Sequence, residues 1–427
     1  MRIIADLHLH SRYSRACSSE LNILNLEKWA KVKGVGLLGS ADFCHPKWFA
    51  ELRKELREDG TGILRTKNGF PFVLQNEISL IYTQGYKGRR IHLVVLAPSF
   101  EVVEQITEYL KSKGRVDYDG RPMFNITCSE FVEAMMSISK DIEVIPAHVW
   151  TPWYGLFGSK TGFDSVEEAF GSAAKYIHAL ETGLSSDPEM NWRLSRLDNY
   201  NLVSFSDSHS FWPWRLGREA TVFEFNHLTY ENLIRAIRTG RGLVETIEVD
   251  PGYGKYHFDG HRNCNVVLSP EQAKKHNNIC PVCKKPLTIG VLHRVDDLAD
   301  RTVGEKPQSA KPFRRIIPLH ELLSVVLKSG MATKRVWAKY YEVLRAGKNE
   351  FDVLLNVSRE ELLKVADEEL VDVILKNREG KLEIKPGFDG EYGVLMIRRG
   401  GVRVEDYDEE SKSYETKRTQ TELGRYF

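Results

Sequence analysis

The sequence predicts an α/β fold over residues 1–243. A small zinc-binding module over 244–300, a mainly α-helical domain over 301–399 and a disordered tail over 400–427 are expected to follow. Three observations lead there. Short apolar runs alternate with longer segments of helical period, the pattern of repeated parallel β/α units. Nearly every run ends in His, Asp or Glu. A Cys-Pro-x-Cys knuckle, Cys280 to Cys283, comes next, and helical segments follow it.

Size and composition set the limits. At roughly 150 residues per domain, 427 residues make two or three domains. A hydrophobic share of 42% is enough for a substantial core and too much for a disordered chain. Lys plus Arg total 60 and Asp plus Glu 59, a net charge of +1. That balance excludes a wholesale polycation, so any nucleic-acid surface has to be a local patch. The six scattered cysteines exclude a disulfide scaffold. No apolar run approaches the roughly 18 residues of a membrane span. The start, from Met1 to Asp6, runs straight into a polar cluster and leaves no room for a signal peptide. A soluble, cytoplasmic protein is expected.

The predicted strands are 2–9, 35–40, 72–76, 91–97, 142–146, 176–180 and 202–205. Between or after them lie helical-period segments at 24–33, 48–59, 101–113, 129–140 and 230–241. This order fits an α/β barrel or a doubly wound sheet. The absence of G-x-G-x-x-G after the first strand argues against a dinucleotide fold.

The ends of the runs carry the chemistry. The first is threaded with Asp6, His8 and His10. The second ends at Asp42, with His45 just beyond. The third ends at Glu77, and the fourth carries His92. The fifth ends at His148, the sixth at Glu181, and the seventh at Asp207 and His209. Catalytic residues of a β/α barrel sit at the carboxyl ends of its strands. One His at a strand end is ordinarily a satisfied polar residue. His8-x-His10, Glu77, His148 and Asp207-x-His209 on successive ends point instead to a site for two or more divalent metals. Asp42 and His92 are expected helpers, and Glu181 completes the rim as a ligand or as support for one. His178 and His227 lie off the pattern and are expected to be structural.

These motifs resemble the PHP family, the polymerase and histidinol phosphatase superfamily. Its D-x-H-x-H is matched by Asp6-Leu7-His8-Leu9-His10, its final D-x-H by Asp207-Ser208-His209, and its lone Glu and His by Glu77 and His148. The resemblance covers about residues 1–240. It implies a distorted (β/α)7 barrel with two or three catalytic ions (Zn, Mn, Mg or Fe) that hydrolyses phosphate esters. In place of the family's T-D-H the chain has Ala41-Asp42-Phe43, so one ligand is missing, and His45 or Asp42 is the candidate substitute. The family's further His in the loop after the first motif is also absent. Cys17 and Cys44 have no basic or helix-entry context and read as small buried residues.

Two loops beyond the ligands are aromatic. Trp150, Trp153 and Tyr154 follow His148, and Trp212, Trp214, Arg215 and Arg218 follow His209. These loops either close the barrel as a satellite core or form stacking walls for a flipped base, with Arg215 or Arg218 on phosphate.

The knuckle Cys280-Pro281-Val282-Cys283 has an irregular partner, His261-x-x-Cys264. One His and three Cys make a closed tetrahedral structural zinc site, with His257 as the substitute if His261 points away. Helical segments are predicted at 319–328, 332–345, 358–366 and 368–376. The second presents Lys334 and Arg335, a solvated face or a DNA contact, over a buried stripe of Val336, Tyr340 and Leu344. The chain ends with Gln420, Leu423, Tyr426 and Phe427 in a pattern that looks like the peptide docking on the PCNA sliding clamp.

The order of barrel, knuckle, helical domain and clamp peptide is similar to the endonuclease Q family of archaeal DNA-repair nucleases. That resemblance implies cleavage 5′ of a deaminated base (deoxyuridine, deoxyinosine, deoxyxanthosine) or an abasic site, leaving a 3′-hydroxyl. The residues alone reach a multi-metal phosphoesterase with nucleic-acid features. The alternatives are a histidinol-phosphate-like phosphatase and a clamp-tethered DNA-binding adaptor.

Overall fold

The computed structural model describes residues 1–399 and 402–404. It is a mixed α/β protein with a central sheet and a helical C-terminal region. The strands that position the site are β1 (Arg2–Asp6), β2 (Leu37–Gly39), β3 (Pro71–Gln84), β4 (Lys87–Ala97), β5 (Glu143–Pro146), β6 (Ala179–Glu181) and β7 (Asn201–Val203). These match the predicted apolar runs, each within a few residues at its start.

Their directions are not all as expected. β1, β2 and β3 pair in parallel, and so do β6 and β7. β4 runs antiparallel to both β3 and β5. The reason is local. Gly85 and Tyr86, with φ of 61° and 59°, form a two-residue turn that returns the chain directly, so β3 and β4 are a hairpin. Pairing continues past the regular strands. The Val149 N–H donates to Glu181 O at 3.0 Å, the His10 N–H to Ser208 O at 3.0 Å, and the Ser208 N–H to His8 O at 3.3 Å. The ends of β5, β6, β7 and β1 therefore converge on one rim. Interior Val, Leu, Ile and Phe of β1 to β7 fill the space beneath it.

Helices flank this sheet as the periodicity predicts. Helix α1 (Ile23–Lys33) starts at Asn22, whose side chain accepts from the Asn25 N–H. It stops at Gly34, whose φ of 97° only glycine adopts cheaply. Three further strands extend the sheet past β1: β8 (Ala220–Glu224), β9 (Leu243–Glu248) and β10 (Phe313–Arg315). The expected boundary at 243 thus falls inside a sheet strand. Past the one at 400, Val402–Val404 still pairs with Val394–Arg399. The clamp-peptide residues Gln420, Leu423, Tyr426 and Phe427 lie outside the described residues. No helix among the described residues is long and apolar enough to cross a membrane.

The helical region closes on the α/β region through charge as well as packing. Helices α2 (Leu319–Leu327), α3 (Lys334–Leu344), α4 (Glu350–Leu355) and α5 (Glu368–Arg378) carry it. In α3 the buried stripe is Val336, Trp337, Tyr340 and Val343, while Leu344 is only half-buried. Lys33 of α1 and Glu350 are both buried, with Nζ to Oε1 at 2.6 Å. Lys33 also donates to Pro213 O at 2.8 Å, and Tyr340 donates to the other Glu350 oxygen at 2.7 Å. A buried pair with its remaining valences filled is costly to halve. Glu350→Ala is expected to lower stability by about 3–5 kcal/mol, whereas Lys33→Met with Glu350→Leu loses much less. Denaturant titration of both variants checks this, and equal losses would refute it.

Candidate metal centre

Strand register brings the first ligands together. Ser79 lies opposite His92, so Glu77, two residues back on the same face, is the diagonal neighbour of His92. Glu77 Oε1 is 2.6 Å from His92 Nδ1 and 3.2 Å from His148 Nε2. Its other oxygen faces the first motif, 3.2 Å from His10 Nε2 and 3.6 Å from His8 Nε2. Asp207 Oδ1 reaches His10 Nε2 at 2.9 Å and His8 Nε2 at 3.6 Å. Two groups result, His8, His10, Glu77 and Asp207 in one and Glu77, His92 and His148 in the other. The donor atoms of each lie within 4.8 Å of one another. Glu77 belongs to both.

Three of the imidazoles are held by the outer nitrogen. His8 Nδ1 is 2.9 Å from Glu181 Oε1, and His148 Nδ1 is 2.9 Å from the Thr151 hydroxyl. His10 Nδ1 is 3.3 Å from Asp42 Oδ1. Such partners fix which nitrogen is left to bind a metal. His8 Nε2 is buried and has no hydrogen-bond partner, an unsatisfied nitrogen set among carboxylates. That donor set fits divalent cations.

The electrostatics agree. Burial opposes charge on His8 and His10, but Glu181, Glu77, Asp207 and Asp42 outweigh it and hold both pKa values well above the ordinary imidazole value. Burial would raise Glu77 and Asp207. His92, Arg121 and His8 act on Glu77, and His8 and His10 on Asp207, and both carboxyls stay well below their usual range. Cations replacing those imidazole protons would keep the same balance. The backbone is strained beside these groups. Asp42, His148 and Asp207 have φ of 29°, 31° and 47°, a strained region for residues with a Cβ.

Several expected residues stand elsewhere. Asp42 stands behind His10, where it accepts from the Ser11 N–H at 2.6 Å and the Ser14 hydroxyl at 2.8 Å. Glu181 likewise accepts from the His148 N–H at 2.7 Å, linking the two groups from behind. His45 is stacked on Tyr13 at 4.4 Å, and Phe43 is core, so neither fills the family's missing ligand position. His209 lies outside both groups, half-exposed, with its ring 4.2 Å from that of His10. Glu181→Gln is expected to weaken metal affinity about 10–100-fold, measured by metal titration. Unchanged affinity would remove Glu181 from the supporting role.

The stacking walls need correction. Trp150 is fully buried, and its indole N–H donates to Asn191 at 2.8 Å. Trp212 is buried and stacked on half-buried Trp214 at 5.4 Å, and both pack against Trp337. Trp212 and Trp214 serve as a satellite core between the α/β and helical regions, and Trp150 packs on Phe157 within the α/β region. Arg218 donates to Ser206 O at 3.1 Å, so it braces the Asp207 loop and is not free for phosphate. Arg215 is half-buried. Tyr154 lies against His92 at 4.3 Å. Trp153 remains at the surface, 37% exposed, with its edge towards Tyr256. Lys334 and Arg335 are exposed.

One residue escaped the sequence reading. Arg121 Nη1 donates to Glu77 Oε2 at 3.0 Å. Its signal was the turn Asp119-Gly120-Arg121-Pro122, which no strand end flagged.

The second candidate centre is separate. His261, Cys264, Cys280 and Cys283 present donor atoms within 4.8 Å of one another, and His261 Nδ1 is 3.4 Å from Cys283 Sγ. His257 is not part of the group and lies against Phe258. Burial raises the Cys280 thiol, but knuckle N–H groups at Cys283 and Val282 outweigh it and favour the thiolate. The set fits a closed structural zinc.

A family description, the MJ0043 C-terminal domain, matches residues 318–381. An uncharacterised protein of Methanocaldococcus jannaschii, MJ0043, is 34% identical over 266 residues, 61% of this chain and 32% of that one. The chain therefore spans about a third of that relative. The uncharacterised YqxK of Bacillus subtilis is 27% identical over 92% of this chain and 99% of its own. Among solved structures, the lesion-specific endonuclease PfuEndoQ of Pyrococcus furiosus superposes with a TM-score of 0.84 at 32% identity, over 96% of this chain and 99% of that one. An endonuclease Q complex with a 27-mer duplex bearing an abasic lesion at the active site matches equally, over all of its chain. Agreement of fold and of a third of the residues along nearly the whole of both chains leads to one conclusion: the chain belongs to the endonuclease Q family of endonucleases.

Proposed function

We propose that the chain is a metal-dependent DNA-repair endonuclease. It hydrolyses the phosphodiester 5′ of a deaminated base (deoxyuridine, deoxyinosine or deoxyxanthosine) or an abasic site and leaves a 3′-hydroxyl. The observation that carries this is Glu77, one buried carboxylate common to two donor groups. That arrangement suits adjacent ions acting on a single phosphate. The abasic duplex bound by a relative supports a damaged-DNA substrate.

The strand ring is read as the distorted (β/α)7 barrel of the PHP family. His8, His10, Glu77 and Asp207 would hold one ion and Glu77, His92 and His148 a second, with His209 at the mouth for a third. Zn, Mn, Mg and Fe all suit these ligands. When bound, the ions supply Lewis acidity that activates water and offsets charge on the phosphodiester. The chain's own residues do the rest. Glu181 and Asp42 orient His8 and His10, and Arg218 fixes the Asp207 loop through Ser206. Trp153 and Tyr154, on the loop after His148, are the rings left for a flipped nucleotide. Deaminated bases pair weakly, which lowers the cost of extrusion. Lys334 and Arg335 would contact DNA phosphates, and the terminal peptide from Gln420 to Phe427 would tether the enzyme to PCNA, at the chromosome in the cytoplasm.

The test is a denaturing gel of end-labelled duplexes carrying deoxyuridine, deoxyinosine, an abasic site or no lesion, with Mn²⁺ or Mg²⁺. One product ending just 5′ of the lesion, absent from the undamaged duplex and with Asp207→Asn, is expected. No cleavage of any lesion duplex with either ion would overturn the reading.

A further inference from the structure

Arg121 reaches the metal centre on a segment built to deliver it. The Gly120 N–H donates to Tyr13 O at 3.2 Å, and the Ser79 N–H donates to Pro122 O at 3.0 Å. Asn76 Nδ2 donates to Gly120 O at 3.0 Å. The segment is thus tied to the residues on either side of Glu77. The Arg121 N–H closes an Asx turn on Asp119 at 3.1 Å. Gly120 packs so tightly that a Cβ there would lie 2.1 Å from Asp42 Oδ2 and 2.3 Å from Ser14 Oγ. Only glycine allows the turn, and the turn puts a guanidinium over the centre.

The use made of that guanidinium is partial. Glu77 is fully buried, but Arg121 keeps 26% of its side chain exposed. Its contact to Glu77 takes one N–H of a five-donor fork. An arginine meant only to neutralise Glu77 has no need of a water-facing edge. A fork with one arm on a shared carboxylate and part of its side chain open to water suits a phosphate oxygen held beside that carboxylate.

We propose that Arg121 is a catalytic residue that binds a non-bridging oxygen of the scissile phosphodiester. This rests on the endonuclease reading above. In the step, water oxygen bonds to phosphorus, the P–O3′ bond breaks, and the departing oxygen takes up the proton that the water loses. Arg121 exchanges no proton. It stabilises charge on the oxygen it holds as the transition state forms.

The test compares wild type with Arg121→Gln and Arg121→Lys, with melting and metal content as controls. Single-turnover cleavage of an abasic duplex should fall about 10²–10³-fold in Arg121→Gln and less in Arg121→Lys. Replacing the scissile phosphate by a methylphosphonate should slow wild type but add little to the Arg121→Gln defect, because the lost contact is the same. Binding to the abasic duplex with Ca²⁺, before product forms, should show a salt slope lower by about 0.9 in Arg121→Gln. An arginine that merely holds Glu77 would leave the slope unchanged and make the two defects multiply. Either result overturns the assignment, as does cleavage by Arg121→Gln near the wild-type rate. Failure of wild type itself to cut any lesion duplex would instead strike the endonuclease reading. If Arg121→Gln does not fold, Arg121→Lys carries the same measurements, with a smaller cleavage loss and methylphosphonate interference still expected.

Discussion

Glu77→Gln is expected to lower cleavage by at least about 10³-fold, about 4 kcal/mol of transition-state stabilisation. The substitution is nearly isosteric, so shape is kept and charge is lost. One Glu77 oxygen faces His92 and His148 and the other faces His10, His8 and Arg121. An amide offers one carbonyl oxygen and one NH2 group. Whichever way it turns, the NH2 replaces an acceptor for one donor group. The other group keeps an oxygen but loses the carboxylate charge, so both ion positions weaken together, which loss of His148 or Asp207 alone would not cause. Metal analysis by mass spectrometry should show the catalytic ions depleted while the structural zinc stays. Far-ultraviolet circular dichroism should be unchanged. Cleavage within tenfold of wild type, with full metal content, would mean that Glu77 is not shared between ions.

Cys283→Ser, or removal of zinc by a strong chelator, is expected to unfold the module around the knuckle while the α/β region stays folded. The module has almost no core of its own. Its buried apolar cluster is Ala273, Cys280 and Leu287, and its hairpin pairs only Asp259–His261 with Val266–Leu268. So little apolar burial does not offset the entropy of ordering the segment. A structural zinc contributes about 10–16 kcal/mol in isolated finger peptides, enough to decide between folded and unfolded. The base of the module is better anchored. Asp259 accepts from the Gly290 N–H at 2.6 Å and pairs with His293 at 2.5 Å. Arg294 donates to Phe157 O and Phe163 O at 3.0 and 3.1 Å, tying the module to the loop after His148. Limited proteolysis should cut within 262–286 after zinc loss and spare 291–298. A protease-resistant knuckle after complete zinc removal would show that metal is not its staple.

Much of this was legible in the residues. Apolar runs bounded by polar ends mark strands because alternation and length are local properties of the chain. Every predicted strand in 1–243 is found. His8, His10, His148 and Asp207 fall together just past strand ends, whereas Glu77 and His92 lie within β3 and β4 and meet across their ladder. The knuckle with His261 was readable for a similar reason, since ligands close in sequence need only a turn to meet. The β3–β4 hairpin was missed although Gly85-Tyr86 lies between two apolar runs, because the alternating pattern of distant helices weighed more than one turn.

What local pattern could not reach depends on neighbours far along the chain. Trp150, Trp212 and Trp214 look alike in sequence to exposed stacking rings, yet Asn191, Trp29 and Trp337 decide their burial. Asp42 and Glu181 have the chemistry of ligands, yet each faces the outer nitrogen of an imidazole, His10 and His8. Arg121 sits on no strand end, and only the packing of Gly120 against Asp42 and Ser14 brings it to Glu77. Residue type and spacing therefore set the class of fold and the kind of chemistry. Whether a side chain binds metal, braces a ligand or fills core was decided by the tertiary structure, because burial and hydrogen-bond partners are set by contacts between residues distant in sequence.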